Sequence, residues 1–300
     1  RRVLFRSSKA GLKYRNAFAR RDIIAKKYEA FIKDENTKVN AKTLYPYEIV
    51  SQAVKHREHC YRYQFEYIPE LERQTLEKYW NALPDYFDGK TANMMCVVDT
   101  SGSMCGSEAA APLNVAIALG MYCAERLNGP FKDHFISFSR RAHYIEIEGI
   151  DFVDKVRRIY ERNLCENTNL ESVFDLLYET AMRDDVNVED IPETIVVISD
   201  MEIDHSAATG RYGHGREQTK TMMEKQRAKW AAAGLKLPKL VYWNVESRNQ
   251  NKFLDDGPDI TYVSGASQVL FEAILKGKTG LSMMYDILDK ERYAQIKLPN

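Results

Sequence analysis

An oxygen-rich loop containing Asp99, Ser101 and Ser103 is the stretch of this 300-residue sequence best suited to chemistry. It follows a short apolar run at 94–98 and precedes an amphipathic pattern that begins near Pro112. This order predicts a buried strand that ends in a loop carrying one carboxylate and two hydroxyls. Ligand sets made only of oxygen suit a hard divalent cation such as Mg²⁺ better than a softer metal. The loop therefore predicts a magnesium site.

A purely structural role for the same loop is the alternative. In that interpretation Asp99 caps the turn and the two serine hydroxyls satisfy backbone groups. Neither serine has a histidine beside it in the sequence to act as a base, so nucleophilic catalysis is not predicted.

A second carboxylate stands in the same kind of position later in the chain. The apolar run at 194–198 continues into Ser199 and Asp200, and it is the clearest buried strand pattern in the sequence. Two strands that both end in an aspartate predict that these side chains meet at one edge of a parallel sheet.

The region from residue 91 to 300 alternates strands with helices, and this alternation predicts an α/β fold. The fold class we expect is a doubly wound, mostly parallel, six-stranded sheet preceded by the tail of an α-helical domain. The predicted strands are 94–98, 133–137, 142–147, 194–200, 239–244 and 260–264; the predicted helices are 112–127, 151–161, 169–183, a helix ending near 233, 266–276 and 283–292.

The region before residue 91 reads as helical and carries no strand pattern. Helices are predicted at 10–34, from Pro46 onward and at 69–83. We interpret residues 8–90 as the C-terminal part of a truncated, repeat-like α-helical domain and residues 91–300 as the α/β domain. Residues 1–7, RRVLFRS, match a translation frame of a common sequencing-library adapter and are predicted to be an assembly artefact.

Composition narrows the protein classes that the chain fits. The formal net charge is zero, so overall charge gives no case for nucleic-acid binding. The five cysteines form no CxxC pair, which favours buried thiols in a reducing compartment and hence a cytoplasmic location. No run approaches the roughly 18–20 apolar residues of a membrane span, so no membrane association is expected.

The chain from 91 to about 280 resembles the von Willebrand factor A domain. The metal-ion-dependent adhesion site of that family uses a D-x-S-x-S loop, which Asp99, Ser101 and Ser103 match as DTSGS, followed by a threonine and an aspartate from later loops. Thr168, just before a predicted helix, matches the threonine, and Asp200 matches the aspartate. The resemblance implies Mg²⁺ or Mn²⁺ held by the serines and Thr168, with both aspartates supplying charge mainly from behind these ligands.

A further resemblance covers nearly the whole chain. The stretches 38–50, 200–202, 241–244 and 264–267 are similar to the domain-of-unknown-function family 2828. That family resembles the Ro/TROVE proteins, in which a helical repeat domain precedes a von Willebrand A domain. In Ro proteins the helical part binds small structured RNAs, so the resemblance implies RNA as a partner of residues 8–90.

The function we expect is metal-dependent binding without catalysis. The ion would complete its coordination with an acidic side chain of a protein partner, within a Ro-like ribonucleoprotein. One alternative is RNA binding through the helical part, where the aromatic series Tyr61, Tyr63, Phe65 and Tyr67 would either stack on bases or pack between helices. The other is a metal-dependent hydrolase such as a nuclease, although two-metal hydrolysis requires more carboxylates than this loop supplies.

Overall fold

The structure is a computed structural model. It describes residues 8–54, 56–57, 64–87, 89, 93–105, 111–138, 141–162, 169–183, 185–200, 214–246, 252–255, 259–265, 268–278, 280–289 and 291.

Four helices make up the N-terminal part of the described chain: α1 (Ser8–Arg20), α2 (Asp22–Lys33), α3 (Pro46–Val54) and α4 (Glu70–Asn81). The helices predicted from Pro46 and at 69–83 are confirmed. The single helix predicted at 10–34 is wrong, because the backbone of Arg21 is extended and separates α1 from α2. The Phe18 and Tyr28 ring centroids lie 5.5 Å apart across this break. In one continuous helix, residues ten apart would be separated by about 15 Å.

A two-residue antiparallel ladder joins β1 (His56–Arg57) to β2 (Gln64–Phe65) between α3 and α4. The expectation of no strand before residue 94 is therefore wrong. A ladder this short buries no alternating apolar face, so no periodic pattern in the sequence could show it.

Seven strands form the main sheet. They are β3 (Met94–Asp99), β4 (His134–Phe138), β5 (His143–Glu146), β6 (Thr194–Ser199), β7 (Lys239–Asn244), β8 (Lys252–Asp255) and β9 (Ile260–Ser264), and their spatial order is β5-β4-β3-β6-β7-β9-β8. The five central strands are parallel, and β5 and β8 pair antiparallel at the two edges.

The predicted α/β class, the mostly parallel sheet and all six predicted strands are confirmed, and the sheet contains one strand more. The additional strand is β8, which pairs with β9 in an antiparallel register. Its four residues hold only two adjacent apolar side chains between charged ones, so the segment resembles an ordinary polar connection in sequence. The predicted antiparallel hairpin of β4 and β5 is confirmed.

Six helices accompany the sheet: α5 (Pro112–Ala124), α6 (Phe152–Glu161), α7 (Leu170–Ala181), α8 (His214–Ala232), α9 (Gln268–Leu275) and α10 (Gly280–Leu288). Helix α5 is the most deeply placed, with nearly every residue buried. At Gly120 a Cβ atom would lie 2.9 Å from Val98 Cγ2, so glycine allows α5 to approach β3 directly below the oxygen-rich loop.

Most of the buried apolar residues in the described N-terminal helices share one hydrophobic core with the sheet, while Phe18, Tyr28 and Ile32 form a second, smaller cluster. Polar contacts also join the helices to the α/β domain. The Arg73 guanidinium on α4 donates two hydrogen bonds to the carboxylate of Asp151, at 2.6 and 2.7 Å. Trp80, also on α4, stacks on Phe152 with ring centroids 4.8 Å apart and donates its indole N–H to Glu125 at 2.8 Å. Helix α4 therefore contacts the ends of both α5 and α6 through ring stacking, an ion pair and a hydrogen bond.

Asp151 also caps α6, because its side chain accepts the backbone N–H of Asp154 at 2.8 Å. Burial alone would raise the pKa of Asp151, but the hydrogen bonds and charge of Arg73 and the capped amides outweigh it and hold that pKa below the ordinary 3.8. A lowered pKa means that Asp151 contributes stability above about pH 3.8, and that this contribution is lost as the pH falls further.

Replacing Asp151 with alanine should lower the free energy of unfolding by about 2 kcal/mol at pH 7, because a helix cap and a half-buried charge pair are both lost. Urea unfolding measures this difference, which should narrow below pH 3.8. Asp185→Ala is the matched control, since Asp185 pairs with Arg183 on the surface with both side chains more than 60% exposed; it should cost less than about 0.5 kcal/mol. Equal costs would contradict the role assigned to Asp151.

Candidate metal centre

The point where the strand order reverses lies between β3 and β6. From β3 the chain passes through α5 to β4 on one side of β3, and later returns to place β6 on the other side. Binding sites of doubly wound sheets form at the carboxyl ends of the strands that flank such a reversal. Asp99 ends β3 and Asp200 directly follows β6, so the two predicted aspartates lie on either side of this point.

The carboxylate of Asp99 is fully buried, and both of its oxygens are engaged. Oδ1 accepts the backbone N–H of Ser101 at 2.8 Å, and Oδ2 accepts the hydroxyl of Ser199 at 2.5 Å. Asp99 thus connects the start of its own loop to the neighbouring strand β6. Because both oxygens already have protein partners, Asp99 fits the predicted supporting role better than direct coordination of an ion.

The hydroxyls of Ser101 and Ser103 lie together on the open side of the loop. Their oxygens are 3.0 Å apart, and Ser103 is exposed. A single 3₁₀ turn at Gly102–Met104 produces this closeness, with the Met104 N–H donating to the Ser101 carbonyl at 3.1 Å. Met104 is fully buried and fixes the turn against the core. The structure therefore brings both predicted hydroxyl ligands to one point.

Asp200 differs from Asp99 in having an unsatisfied oxygen. Its side chain accepts a hydrogen bond from Ser103, yet its Oδ1 atom is buried and has no hydrogen-bond partner within the part of the chain that the structure describes. A buried carboxylate oxygen without a partner costs free energy unless a hydrogen-bond donor or a cation reaches it. Four of the five predicted site residues are thus assembled around one point: Asp99, Ser101, Ser103 and Asp200.

The charges around this point are negative. Burial is the largest cause that raises the pKa of Asp200 above the ordinary 3.8, and the negative charges of Asp99 and Glu246 raise it further, while the hydrogen bond from Ser103 opposes the shift. Glu246 lies just beyond the end of β7, with its backbone N–H held by the Asn244 side chain at 3.0 Å. Three adjacent strands therefore place a carboxylate at the same edge, which favours a bound cation.

Some of the other predicted residues lie outside the described ranges. Thr168 lies outside the described residues; the described Asn169 caps α7 by accepting the Ser172 N–H at 3.3 Å. Of the aromatic series, Tyr61 and Tyr63 also lie outside the described residues. Phe65 lies under the Arg157 guanidinium, 4.9 Å from ring centroid to Cζ, whereas Tyr67 is 86% exposed.

Three polar residues at this edge were not predicted: Ser199, Tyr242 and Glu246. Ser199 is fully buried and bonds Asp99, and Tyr242 on β7 is hydrogen-bonded to Ser199. Burial, with smaller contributions from the charges of Asp99 and Asp200, raises the pKa of Tyr242 to about 12. The only sequence signal was a polar residue at the end of each apolar run, which does not tell which side chains meet.

No group of three or more His, Cys, Asp or Glu side chains arranged to hold a metal occurs among the described residues. Any ion at this edge would therefore depend on hydroxyl oxygens as well as carboxylates. None of the helices in the described ranges combines the length and apolar character needed to cross a bilayer.

The fold and the site together define a class of protein. It is an α/β protein with a doubly wound sheet, and carboxylate and hydroxyl oxygens line the edge of the sheet where the strand order reverses. Within that class, the chain belongs to the family described as Domain of unknown function (DUF7788), whose model matches residues 93–295. The family number expected from the sequence, 2828, is not confirmed.

Two further similarities were found. The chain is 28% identical over 269 residues to an uncharacterized protein of Acanthamoeba polyphaga mimivirus; the match covers 88% of this chain and 43% of that protein. The chain thus spans less than half the length of this relative. The Ro (RSR) protein of Deinococcus radiodurans has a crystal structure that matches 79% of this chain and 45% of its own, with 14% identity and a TM-score of 0.44. Values this low establish neither family nor function.

Asp200→Asn should make the metal-free chain slightly more stable at pH 7, because it removes a charge that is half-buried and repelled by two neighbouring carboxylates. We expect the thermal unfolding midpoint in EDTA to rise by about 2 °C. Asp289→Asn, at an exposed position, is the matched control and should leave the midpoint unchanged. A lower midpoint in Asp200→Asn would show that the ionised carboxylate stabilises the chain even without a cation.

Proposed function

We propose that this protein is a metal-dependent binding module whose ion, Mg²⁺ or Mn²⁺, is held at the carboxyl ends of β3 and β6. The residues that would hold it are Ser101, Ser103 and Asp200, with Asp99 fixing the loop and Thr168 as the expected further oxygen. When bound, the ion would supply an electrophilic position that accepts an oxygen atom from a partner.

The unsatisfied Oδ1 atom of Asp200 is the observation that carries this proposal. It is buried next to the hydroxyl of Ser103, which in turn lies 3.0 Å from the hydroxyl of Ser101. These oxygens converge at the point where the strand order reverses, and among the described residues no basic side chain shifts the pKa of Asp200. A cation would supply the missing positive charge, so the residues present fit the group.

The donor chemistry supports a hard ion. Serine hydroxyls and carboxylates suit Mg²⁺ and Mn²⁺, whereas zinc sites are usually built from cysteine and histidine. Mg²⁺ also retains several water molecules, which agrees with a site that offers few protein ligands. On these grounds we assign the α/β part to a von Willebrand A-like fold with an adhesion-type metal site, as the D-x-S-x-S spacing of Asp99, Ser101 and Ser103 suggests.

We place the protein among binding modules and not among enzymes. Two-metal hydrolysis needs carboxylates that hold ions about 3.5–4 Å apart, and at this edge Asp99 already uses both oxygens within the protein. The proposed partner is a protein that offers an acidic side chain, because a carboxylate oxygen is both a hard ligand and a counter-charge for the ion.

Mn²⁺ should bind the chain at one site, and Ser103→Ala should weaken that binding about tenfold, because the variant removes one ligand oxygen. Ser103 is exposed, so its replacement should leave the metal-free fold intact. Electron paramagnetic resonance of free Mn²⁺ gives the affinity, and thermal unfolding with and without Mg²⁺ gives the linked stabilisation.

The matched control is Ser282→Ala, a serine on α10 in another part of the fold. It should bind Mn²⁺ like the native chain. If Ser103→Ala and Asp200→Asn bound Mn²⁺ as tightly as the native chain, the ion would not be at this loop and the proposed function would be wrong.

A small dicarboxylate should compete with water for the open position on the ion. Adding glutarate to the Mn²⁺-loaded chain should lower the water-proton relaxation rate, because a carboxylate oxygen replaces an exchanging water. Glucose at the same concentration is the neutral control. An unchanged relaxation rate would contradict an acidic partner. RNA binding that persists in Asp200→Asn and weakens steeply with salt would support the nucleic-acid alternative instead.

A further inference from the structure

We propose that Tyr242 and Ser199 are positioning residues of the metal centre, forming a buried chain of hydrogen bonds that orients Asp99 and, through it, the hydroxyl-bearing loop. This inference rests on the proposed function. Neither residue belongs to the D-x-S-x-S pattern or to the threonine and aspartate that accompany it, and the two come from strands other than the one that carries the loop.

The number of hydrogen atoms available on each hydroxyl indicates which group donates in each of these hydrogen bonds. The Ser199 hydroxyl has one hydrogen, and it donates that hydrogen to Asp99 Oδ2 at 2.5 Å. Ser199 and Tyr242 are also hydrogen-bonded to each other. Because the Ser199 hydrogen is already used in the bond to Asp99, we assign the Tyr242 phenol as the donor of this second bond. Tyr242 thereby holds the Ser199 hydroxyl in the rotamer that reaches Asp99.

Strand register places these side chains on one face of the sheet. Val197 pairs with Tyr242 and Ser199 pairs with Asn244, so Tyr242 and Ser199 lie on the same face, one step apart along adjacent strands. Ser199 is fully buried and Tyr242 is only 8% exposed, so water does not readily replace either hydroxyl. The hydrogen bonds from Tyr242 to Ser199 and from Ser199 to Asp99 thus lie within the sheet, where the backbone holds their geometry rigid.

The orientation of Asp99 affects the loop because its other carboxylate oxygen is hydrogen-bonded to the loop backbone. Oδ1 accepts the Ser101 N–H at 2.8 Å, so rotation of the carboxylate would release the backbone of Ser101. The Ser101 hydroxyl would then move relative to that of Ser103, from which it is now 3.0 Å away. Partners that orient metal ligands in this indirect way commonly change metal affinity when they are removed.

The experiment measures Mn²⁺ affinity by electron paramagnetic resonance, on the whole chain, well below its unfolding temperature. Tyr242→Phe removes one hydroxyl and leaves the Ser199 to Asp99 bond in place, and it should weaken Mn²⁺ binding about threefold; Ser199→Ala should weaken it about tenfold. Tyr262→Phe is the matched control, because Tyr262 pairs with Tyr242 on the next strand and is equally buried. It should keep the native affinity.

The outcomes separate this inference from the proposed function. If the native chain binds Mn²⁺ and both Tyr242→Phe and Ser199→Ala bind it equally well, the positioning role is wrong while the metal centre stands. A lower unfolding midpoint with unchanged affinity would likewise show a merely structural role and overturn the inference. If the native chain binds no Mn²⁺, the proposed function fails and the inference fails with it. Ser199→Thr, which keeps the hydroxyl, should restore most of the affinity lost in Ser199→Ala.

Discussion

The buried carboxylate of Asp99 is the group on which the arrangement of this edge depends. It has no exposure to solvent, and its two oxygens bond a backbone N–H of its own loop and a hydroxyl of the adjacent strand. A buried carboxylate is costly unless its hydrogen bonds are complete, so the loop and β6 must remain where they satisfy it. The same two bonds place the hydroxyls of Ser101 and Ser103 beside Asp200. The hydrogen bonds that stabilise the buried charge of Asp99 are therefore the same bonds that fix the position of the loop.

The hydrogen bond from Ser199 to Asp99 joins residues 100 positions apart in the sequence, and the pairing of strands brings them together. Strand β3 pairs with β6 in a parallel register in which Val98 faces Ile198, so Asp99 and Ser199 follow as the next pair along the two strands. Helix α5 supports β3 from below, and Gly120 permits the close contact. The N-terminal helices support the sheet at a distance from the loop. Helix α4 holds α6 through the Arg73–Asp151 ion pair and packs Trp80 against the same core. Precise placement at the edge is thus maintained by packing throughout the core.

Negative charge is concentrated at this edge at some cost in stability. Asp200 is partly buried, carries an oxygen without a partner among the described residues and is raised in pKa by burial and by Asp99 and Glu246. Carboxylates with perturbed pKa values are common at functional sites. The hydroxyls of Ser101 and Ser103 are neutral, so they add ligand oxygens without adding further repulsion. This division between charged and neutral oxygens matches the ligand set that we propose for a small, hard cation.

The class of fold and most residues of the candidate site follow from local features of the sequence. Alternating apolar runs and amphipathic patterns are local properties, so the parallel strands, the β4–β5 hairpin and the positions of Asp99 and Asp200 at strand ends could all be predicted. Thr168 stays a prediction, since it lies outside the described residues.

Which side chains meet depends on how distant parts of the chain pair in the fold. The break at Arg21, the short ladder of β1 and β2 and the edge strand β8 depend on pairing with distant segments, which leaves no periodic signal in the chain. The partnership of Ser199 with Asp99, and of Tyr242 with Ser199, depends on the order and register of β3, β6 and β7. Register is set by packing summed over the whole sheet. The sequence therefore showed which oxygen atoms are available to the proposed metal, and the pairing of strands in the sheet sets which of them lie together.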